Sequence, residues 1–371
     1  MRSRLPRPRR VTVLRPGNGH ASRLRLGAAA IHCRRRTPMS PEPPLHPEDL
    51  PGRAHRHRFE GPFFRQLMLG GIRRIPPRVK RLSMPLWAGI FYSLLPGARR
   101  AIESNLDHVC GPPSGPAGSL STELERHQRS FRLFCNYAQM LSDTYGMHMG
   151  LPLDSDTGTV GYEHIVAAVR RGKGVIAATG HLGMWQLAPY LARLRGLARF
   201  CVAMAEEPNR SVQEFEKRFR DRFEIVYTTG SPFASLRLAQ VLREGAVLGM
   251  QIDRNIGGQV LEIPFFGQPV AFPIGPALLA RITGASIVPN FFVVEEEAGR
   301  RRVLHYIEPA IEVAHTRDRD GDVRQATAAV VAVYERFVRR YPTQWYHFYD
   351  FFSSRVEPGA ASASTSGGAA Q

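Results

Sequence analysis

The stretch GVIAATGHLGMWQLAPYLARLRG (174–196) decides the fold. Its opening, GVIAATG (174–180), is small or apolar throughout, as in a strand buried on both faces. The following LGMWQLAPYLARLRG (182–196) has helical spacing and a terminal glycine to stop it. The alternation extends in both directions. Upstream, EHIVAAVRR (163–171) is a short helix ended by Gly172. Downstream come a strand ARFCVAM (198–204), a polar helix PNRSVQEFEKRFRDRF (208–223) and a strand EIVY (224–227). A helix SPFASLRLAQVLREG (231–245) follows, with Ser231 as its expected cap, and then a strand AVLGMQI (246–252). VLEIPFFG (260–267) is extended, GPALLARITG (275–284) is helical, and SIVPNFFVVEE and RVLHYIEP pair as late strands. A final amphipathic helix over about 322–340 turns Ala326, Val330, Val333 and Phe337 to one side. Strands alternating with helices of this length predict an α/β fold, a mostly parallel central sheet flanked by helices, with the late pair as an antiparallel edge.

The flanking regions differ in composition. The chain has 371 residues and a formal charge of +18, which suggests nucleic acid or an anionic surface as partner. Eleven arginines and no acid fall within residues 1–38, so the remainder is only moderately basic. No nucleic-acid motif accompanies them, and no nucleic-acid partner is expected. The leader lacks the apolar run of a secretory signal; initiation at Met39 is expected, with a transit peptide as the second reading. Residues 1–60 and the low-complexity end 356–371 are expected to be disordered. The four cysteines (Cys33, Cys110, Cys135, Cys201) form no CxxC and no Cys/His cluster, so neither a metal site nor a disulfide framework is predicted.

Between leader and sheet, residues 61–150 read as a helical, membrane-associating region, and 151–355 as the α/β core. Residues 61–102 contain no acid but eight Arg or Lys, which bracket the uncharged run LSMPLWAGIFYSLLPGA (82–98). That run is shorter than the roughly 20 residues a spanning helix needs and holds Pro85 and Pro96. It reads as interfacial, with aromatic and apolar groups at the headgroup boundary and arginines on anionic lipid. Over 120–148, Phe131, Phe134, Ala138, Leu141 and Tyr145 recur at helical spacing.

His181 is the residue on which chemistry centres. It stands where the strand hands over to the helix, and ligands collect beyond the carboxyl ends of such strands. Helix-start amides there favour negative charge, and an imidazole base beside an anion-stabilising pocket suits acyl transfer. The chain has no GxSxG, GxxxxGK[ST] or GxGxxG motif, which argues against the usual hydrolase, nucleotidase and dehydrogenase chemistries.

GHLGMWQL (180–187) resembles the signature of the lipid A biosynthesis acyltransferase family, part of the lysophospholipid acyltransferase superfamily: a His, four residues, then Asp or Glu. Three further stretches are similar to family blocks, in order: RRAIESNLDHVCG (99–111), PFFGQPVAFPIGPALLARITGASIVP (264–289) and YPTQWYHFYDFF (341–352). The resemblance covers roughly 85–352. It implies a glycerolipid acyltransferase-like fold and transfer of an acyl chain from a thioester of acyl carrier protein or coenzyme A to a hydroxyl of a membrane glycolipid. It also implies a place at the cytoplasmic face of the inner membrane, peripheral or with one N-terminal anchor, and no cofactor. A lipid A-like acceptor is the default; phospholipid or secondary-metabolite acceptors stay open. It carries His181 as catalytic base, and assigns Arg254, Asp253, Pro264, Phe265, Phe266 and Gly267 to substrate binding.

The motif's acidic position is Gln186 here, and Met184 stands where Asn is usual. Gln186 can accept from the imidazole N–H but supplies no charge. Three readings are open: Gln186 as a neutral orienter, another acid such as Asp253 in its place, or a weakened enzyme acting as a lipid-binding scaffold. The neutral orienter is the expectation. Trp185 is expected in the core.

Overall fold

The computed structural model describes residues 62–115, 118–187, 198–205, 224–228, 233–255, 258–297 and 299–353. The basic leader, the low-complexity end, the helix expected over 208–223, most of that expected over 182–196, and Ser231 lie outside these residues.

The described residues begin with four helices: α1 (Pro62–Arg74), α2 (Pro77–Leu94), α3 (Pro96–Cys110) and α4 (Leu120–His148). Proline at the first turn starts each of the first three, where no N–H is needed. Ser119 caps α4 by accepting from the Thr122 amide. The α/β part follows as β1 (Asp156–Val160), α5 (Tyr162–Arg170), β2 (Val175–Thr179), β3 (Phe200–Met204), β4 (Glu224–Tyr227), α6 (Ala234–Arg243) and β5 (Val247–Gln251). It continues with β6 (Val260–Phe265), β7 (Gln268–Pro273), α7 (Gly275–Thr283), β8 (Ser286–Glu297), β9 (Arg300–Ile307) and α8 (Arg319–Arg340).

Seven strands form one sheet in the order β1-β9-β8-β2-β5-β3-β4, parallel except for the β8–β9 pair. The fold is therefore α/β with a mostly parallel central sheet flanked by helices. The antiparallel pair is as expected, but β9 is not the edge: β1 lies beyond it. VLEIPFFG is one arm of a separate hairpin, β6–β7.

The core follows the two-residue period of the strands. Ile176 and Ala178 of β2 face a cluster shared with α6, α7 and α8, while Val175 and Ala177 face α5 through Ile165 and Ala168. A third cluster joins Ile102, Leu106, Leu133, Phe134 and Met140 of the helical layer to Met184, Phe292, Val303 and Tyr346. The helices before β1 thus pack directly on residues that surround His181.

One surface of that layer is apolar and open. Leu82, Leu86, Trp87, Ile90 and Leu94 of α2 are exposed, Leu82 by 82%. Arg73, Arg74, Arg78 and Arg81 are exposed beside them. Among the described residues no helix is long and apolar enough to cross a membrane.

Candidate active site

β2 and β5 are parallel neighbours with Thr179 opposite Gln251. His181 and Asp253 each lie two residues beyond these partners, so equal extensions bring them side by side. The His181 Nδ1 lies 2.8 Å from Asp253 Oδ1, and the His181 backbone N–H donates to Oδ2 at 2.6 Å. A carboxylate only accepts, so Nδ1 carries the hydrogen and Nε2 presents its lone pair. Among the described residues no group occupies that Nε2.

The glycines around His181 are fixed by close approach. A Cβ on Gly180 would lie 2.6 Å from the Tyr334 ring. One on Gly183, whose φ is +60°, would lie 1.9 Å from the Phe292 carbonyl oxygen. Here the chain bends against β8: the Gly183 N–H donates to the Gln344 carbonyl and that of Met184 to Phe292. These bonds narrow the expectation of open amides after His181. The amides of His181, Gly183 and Met184 already have acceptors and are not free for an oxyanion.

Two further segments complete the site. Tyr334, on α8, donates its hydroxyl to Asp253 Oδ2 at 2.5 Å and accepts from Trp345 Nε1 at 2.8 Å. The segment after α8, residues 344–352, crosses beside the strand ends. Tyr346 N–H donates to the His181 carbonyl, and His347 Nε2 lies 3.0 Å from Asp253 Oδ2. Asn105 of α3 pins this segment: its Nδ2 donates to the carbonyls of His347 and Tyr349, and its Oδ1 accepts from Phe351 N–H. Gln344 grips β8 through both ends of its amide, giving to the Val294 carbonyl and taking its N–H.

His181, Asp253 and His347 are 8%, 4% and 1% exposed. Burial pulls the His181 imidazole below its ordinary pKa, against the attraction of Asp253. Burial likewise lowers His347, to about 4, against its bond to Asp253. Burial alone would raise the Asp253 pKa, but the facing His181 and His347 hold it well below the usual carboxylate range. Burial and the Asp253 charge push the Tyr334 hydroxyl well above its usual value. At neutral pH the centre is an ionised carboxylate beneath a neutral imidazole whose second nitrogen is a base.

His181, Asp253 and His347 also have the composition of a metal trio, their candidate donor atoms within 4.8 Å of one another. The donor set fits protons better. Four hydrogens converge on Asp253, and a cation would have to displace at least the two from the imidazoles.

The other sequence-predicted residues fall differently. Gln186 lies in a 3-10 turn, Trp185–Leu187; among the described residues the acid bonded to the imidazole is Asp253, not Gln186. The expected neutral orienter is thereby corrected: the carboxylate comes from the neighbouring strand. Asp253 is correspondingly a partner of the base and, with no exposed side-chain surface, not a substrate-binding group. Trp185 is half-buried, packed against the cluster of the helical layer as expected, with its ring 5.1 Å from that of His181. Met184 is fully buried, its sulfur 3.7 Å from the Arg301 guanidinium. Arg254 is exposed, its guanidinium 5.7 Å from the Tyr349 ring centre.

The PFFG segment is divided between surface and core. Pro264 and Gly267 are exposed on the β6–β7 hairpin, and Phe266 turns with φ 49°. Phe265 is fully buried against Tyr334, Trp345, Phe272 and Phe351, where it backs the site and does not line a substrate channel. His347, Tyr349 and Tyr334 were missed. His347 and Tyr349 lie in the block YPTQWYHFYDFF, whose unusual density of aromatic and imidazole groups was the available signal.

A buried histidine oriented by a carboxylate at the ends of parallel strands has the geometry of a general base, and comparison with known proteins supplies the family. A model of the bacterial lipid A biosynthesis acyltransferase family matches residues 69–353, and the chain belongs to that family of enzymes. It is 27% identical over 264 residues to a phosphatidylinositol mannoside acyltransferase of Mycobacterium tuberculosis (strain CDC 1551 / Oshkosh), covering 70% of this chain and 78% of that one. It is 26% identical to the phosphatidylinositol mannoside acyltransferase of Mycolicibacterium smegmatis, covering 70% and 81%. Among solved structures it is similar to the 1-acyl-sn-glycerophosphate acyltransferase PlsC of Thermotoga maritima, at 13% identity and a TM-score of 0.33, covering 73% of this chain and 99% of that one. So loose a likeness has no bearing on substrate or mechanism.

Proposed function

We propose that this acyltransferase moves a fatty acyl chain from an acyl carrier protein or coenzyme A thioester to a hydroxyl of a sugar-bearing membrane lipid, with His181 as general base. The observation that carries the reading is the contact of His181 Nδ1 with Asp253, which leaves Nε2 as the base. Nε2 takes the proton of the acceptor hydroxyl as its oxygen attacks the thioester carbonyl carbon. The tetrahedral intermediate then expels the thiolate, which takes the proton back from the imidazolium. Asp253 stabilises the transient imidazolium. The oxyanion needs a donor other than the amides of Gly183 and Met184, and the exposed Arg254 beside Tyr349 is the cation offered for it.

Both mycobacterial relatives bear the name of a phosphatidylinositol mannoside acyltransferase. That name supports a glycosylated phospholipid as acceptor here, ahead of a lipid A precursor. The open apolar surface of α2, rimmed by arginines, supports peripheral docking on an anionic membrane. The scaffold reading depends on a missing carboxylate, and Asp253 removes its basis.

The test is mass spectrometry of lipids from cells with and without the gene, joined to transfer by the purified protein in anionic vesicles holding candidate acceptors. A lipid species differing by one acyl group is expected, and its formation in vitro should require His181. Identical lipids in both cells and no transfer from either donor would sink the proposal.

A further inference from the structure

The network beneath His181 has more members than a base and its acid require. We propose that His347 is a positioning residue for the base: fixed in one tautomer by Tyr349, it shares Asp253 with His181 and so sets how strongly that carboxylate holds the catalytic imidazole.

The hydrogen positions follow from chemistry. Asp253 is an acceptor only, so His347 Nε2, 3.0 Å from its Oδ2, carries a hydrogen. Neutral His347 then has a lone pair on Nδ1, and the Tyr349 hydroxyl 3.0 Å away donates to it. His347 has no exposed side-chain surface, and Trp345, Tyr349 and Phe351 enclose its ring, so it cannot turn to find another partner. Each hydrogen in the network has one direction: Tyr349 to His347 to Asp253, Trp345 to Tyr334 to Asp253, and His181 to Asp253.

The two oxygens of Asp253 are loaded unequally. Oδ2 accepts from the His181 backbone, Tyr334 and His347, whereas Oδ1 accepts from His181 Nδ1. Three donors on Oδ2 spread the negative charge and weaken the carboxylate as an acceptor for the imidazole. Without His347 more charge would fall on the bond to His181, and the imidazole would bind its proton more tightly. A base that stays protonated is no base, so the second histidine adds to burial in keeping His181 neutral and its Nε2 available. The charged and titratable groups around the imidazole are Asp253 and Arg254 after β5, His347 and Tyr349 on the closing segment, and Tyr334 on α8.

This inference rests on His181 being the base, and its test needs no substrate. In the full chain carrying 13C at the histidine Cε1, the His181 resonance is assigned by its loss in His181→Ala and followed against pH. In His347→Phe the His181 proton affinity should rise about threefold to tenfold. His347→Gln, which restores a donor to Oδ2, should return it to within about twofold of the native value. Tyr349→Phe, which frees the His347 tautomer, should shift it in the same direction as His347→Phe but less. With an active preparation, the acid limb of kcat/KM should move to higher pH in step. An unmoved His181 titration in a folded His347→Phe protein overturns the role, as does a Gln variant no different from the Phe variant. Should His347→Phe fail to fold, Tyr349→Phe decides: a shift supports the role and its absence overturns it. Failure here leaves acyl transfer by His181 standing, whereas a native protein without transferase activity removes that reading while the titration still reports on the network.

Discussion

Asp253 and Glu103 are surrounded by the same kinds of side chain. Glu103, on α3, accepts at one oxygen from His127 Nδ1 at 2.8 Å and from the hydroxyls of Tyr92 and Ser130, both at 3.2 Å. Asp253 accepts from His181, His347 and Tyr334. Both are carboxylates with a histidine held at Nδ1 and a tyrosine hydroxyl. They differ in place and in solvent. The His127 side chain is 46% exposed, and the Glu103 cluster ties α2, α3 and α4 together. The His181 side chain is 10% exposed and lies beyond the ends of two parallel strands, where a ligand can approach. A histidine–acid contact is common structural material. It becomes a base when burial keeps the imidazole neutral and the fold leaves its other nitrogen clear.

That contrast can be broken at either centre. His181→Ala should reduce acyl transfer at least about 10³-fold with the fold retained, measured by product formation and circular dichroism. Full activity in that variant would remove His181 from the chemistry. Asp253→Asn should lower kcat about 10²- to 10⁴-fold, because the amide presents hydrogens to donors and no longer stabilises the imidazolium. It should also lower the melting temperature, since removing one member of a buried charged network leaves donors unpaired.

The pH dependence of stability sharpens the same contrast. The native site holds His347 at about 4, while an unfolded histidine titrates near 6.5. Between these values the unfolded chain binds a proton that the native site refuses, so stability present above about pH 6.5 is lost as pH falls towards 4. The loss assigned to His347 is at most about 3 kcal/mol, and His347→Gln should remove that part of the slope in denaturant titrations. At the other centre, Glu103→Gln should cost about 1 kcal/mol and leave kcat unchanged. A large activity loss there would mean that the two clusters are not as different as their exposure implies. The smallest effect is expected for Gln186→Glu, within about twofold in kcat, because Asp253 already fills the role of the acid. A large gain would restore Gln186 to the mechanism.

The sequence shows most of the sheet, and the reason is local. GVIAATG and AVLGMQI are short apolar runs set off by glycine, and the structure makes β2 and β5 of them. β1 was invisible because DTGTV is polar, lies mostly outside the core and owes its strand form to pairing with β9. His181 was legible from its place after a strand. Its bond to Asp253 was not, because that requires β2 and β5 to be neighbours although β3, β4 and α6 all come between them in the chain. The motif spacing pointed instead to Gln186, five residues on, and so chose a local partner over a distant one. PFFG was only partly legible for a related reason. Two phenylalanines before a turn look alike in sequence, yet the two-residue period buries Phe265 and leaves Phe266 half-buried on the hairpin.

The segment that carries His347 comes after α8 and holds the last of the described residues. It follows the sheet, His181 and Asp253 in the chain, so base and acid are joined by a segment that neither of their own strands supplies. Without that segment the base would sit above an acid lacking the His347 donor, and Tyr334 would lack the Trp345 indole N–H. Asn105, 242 residues before His347 in the chain, catches the carbonyls of that segment and so ties the completed network to the helical layer.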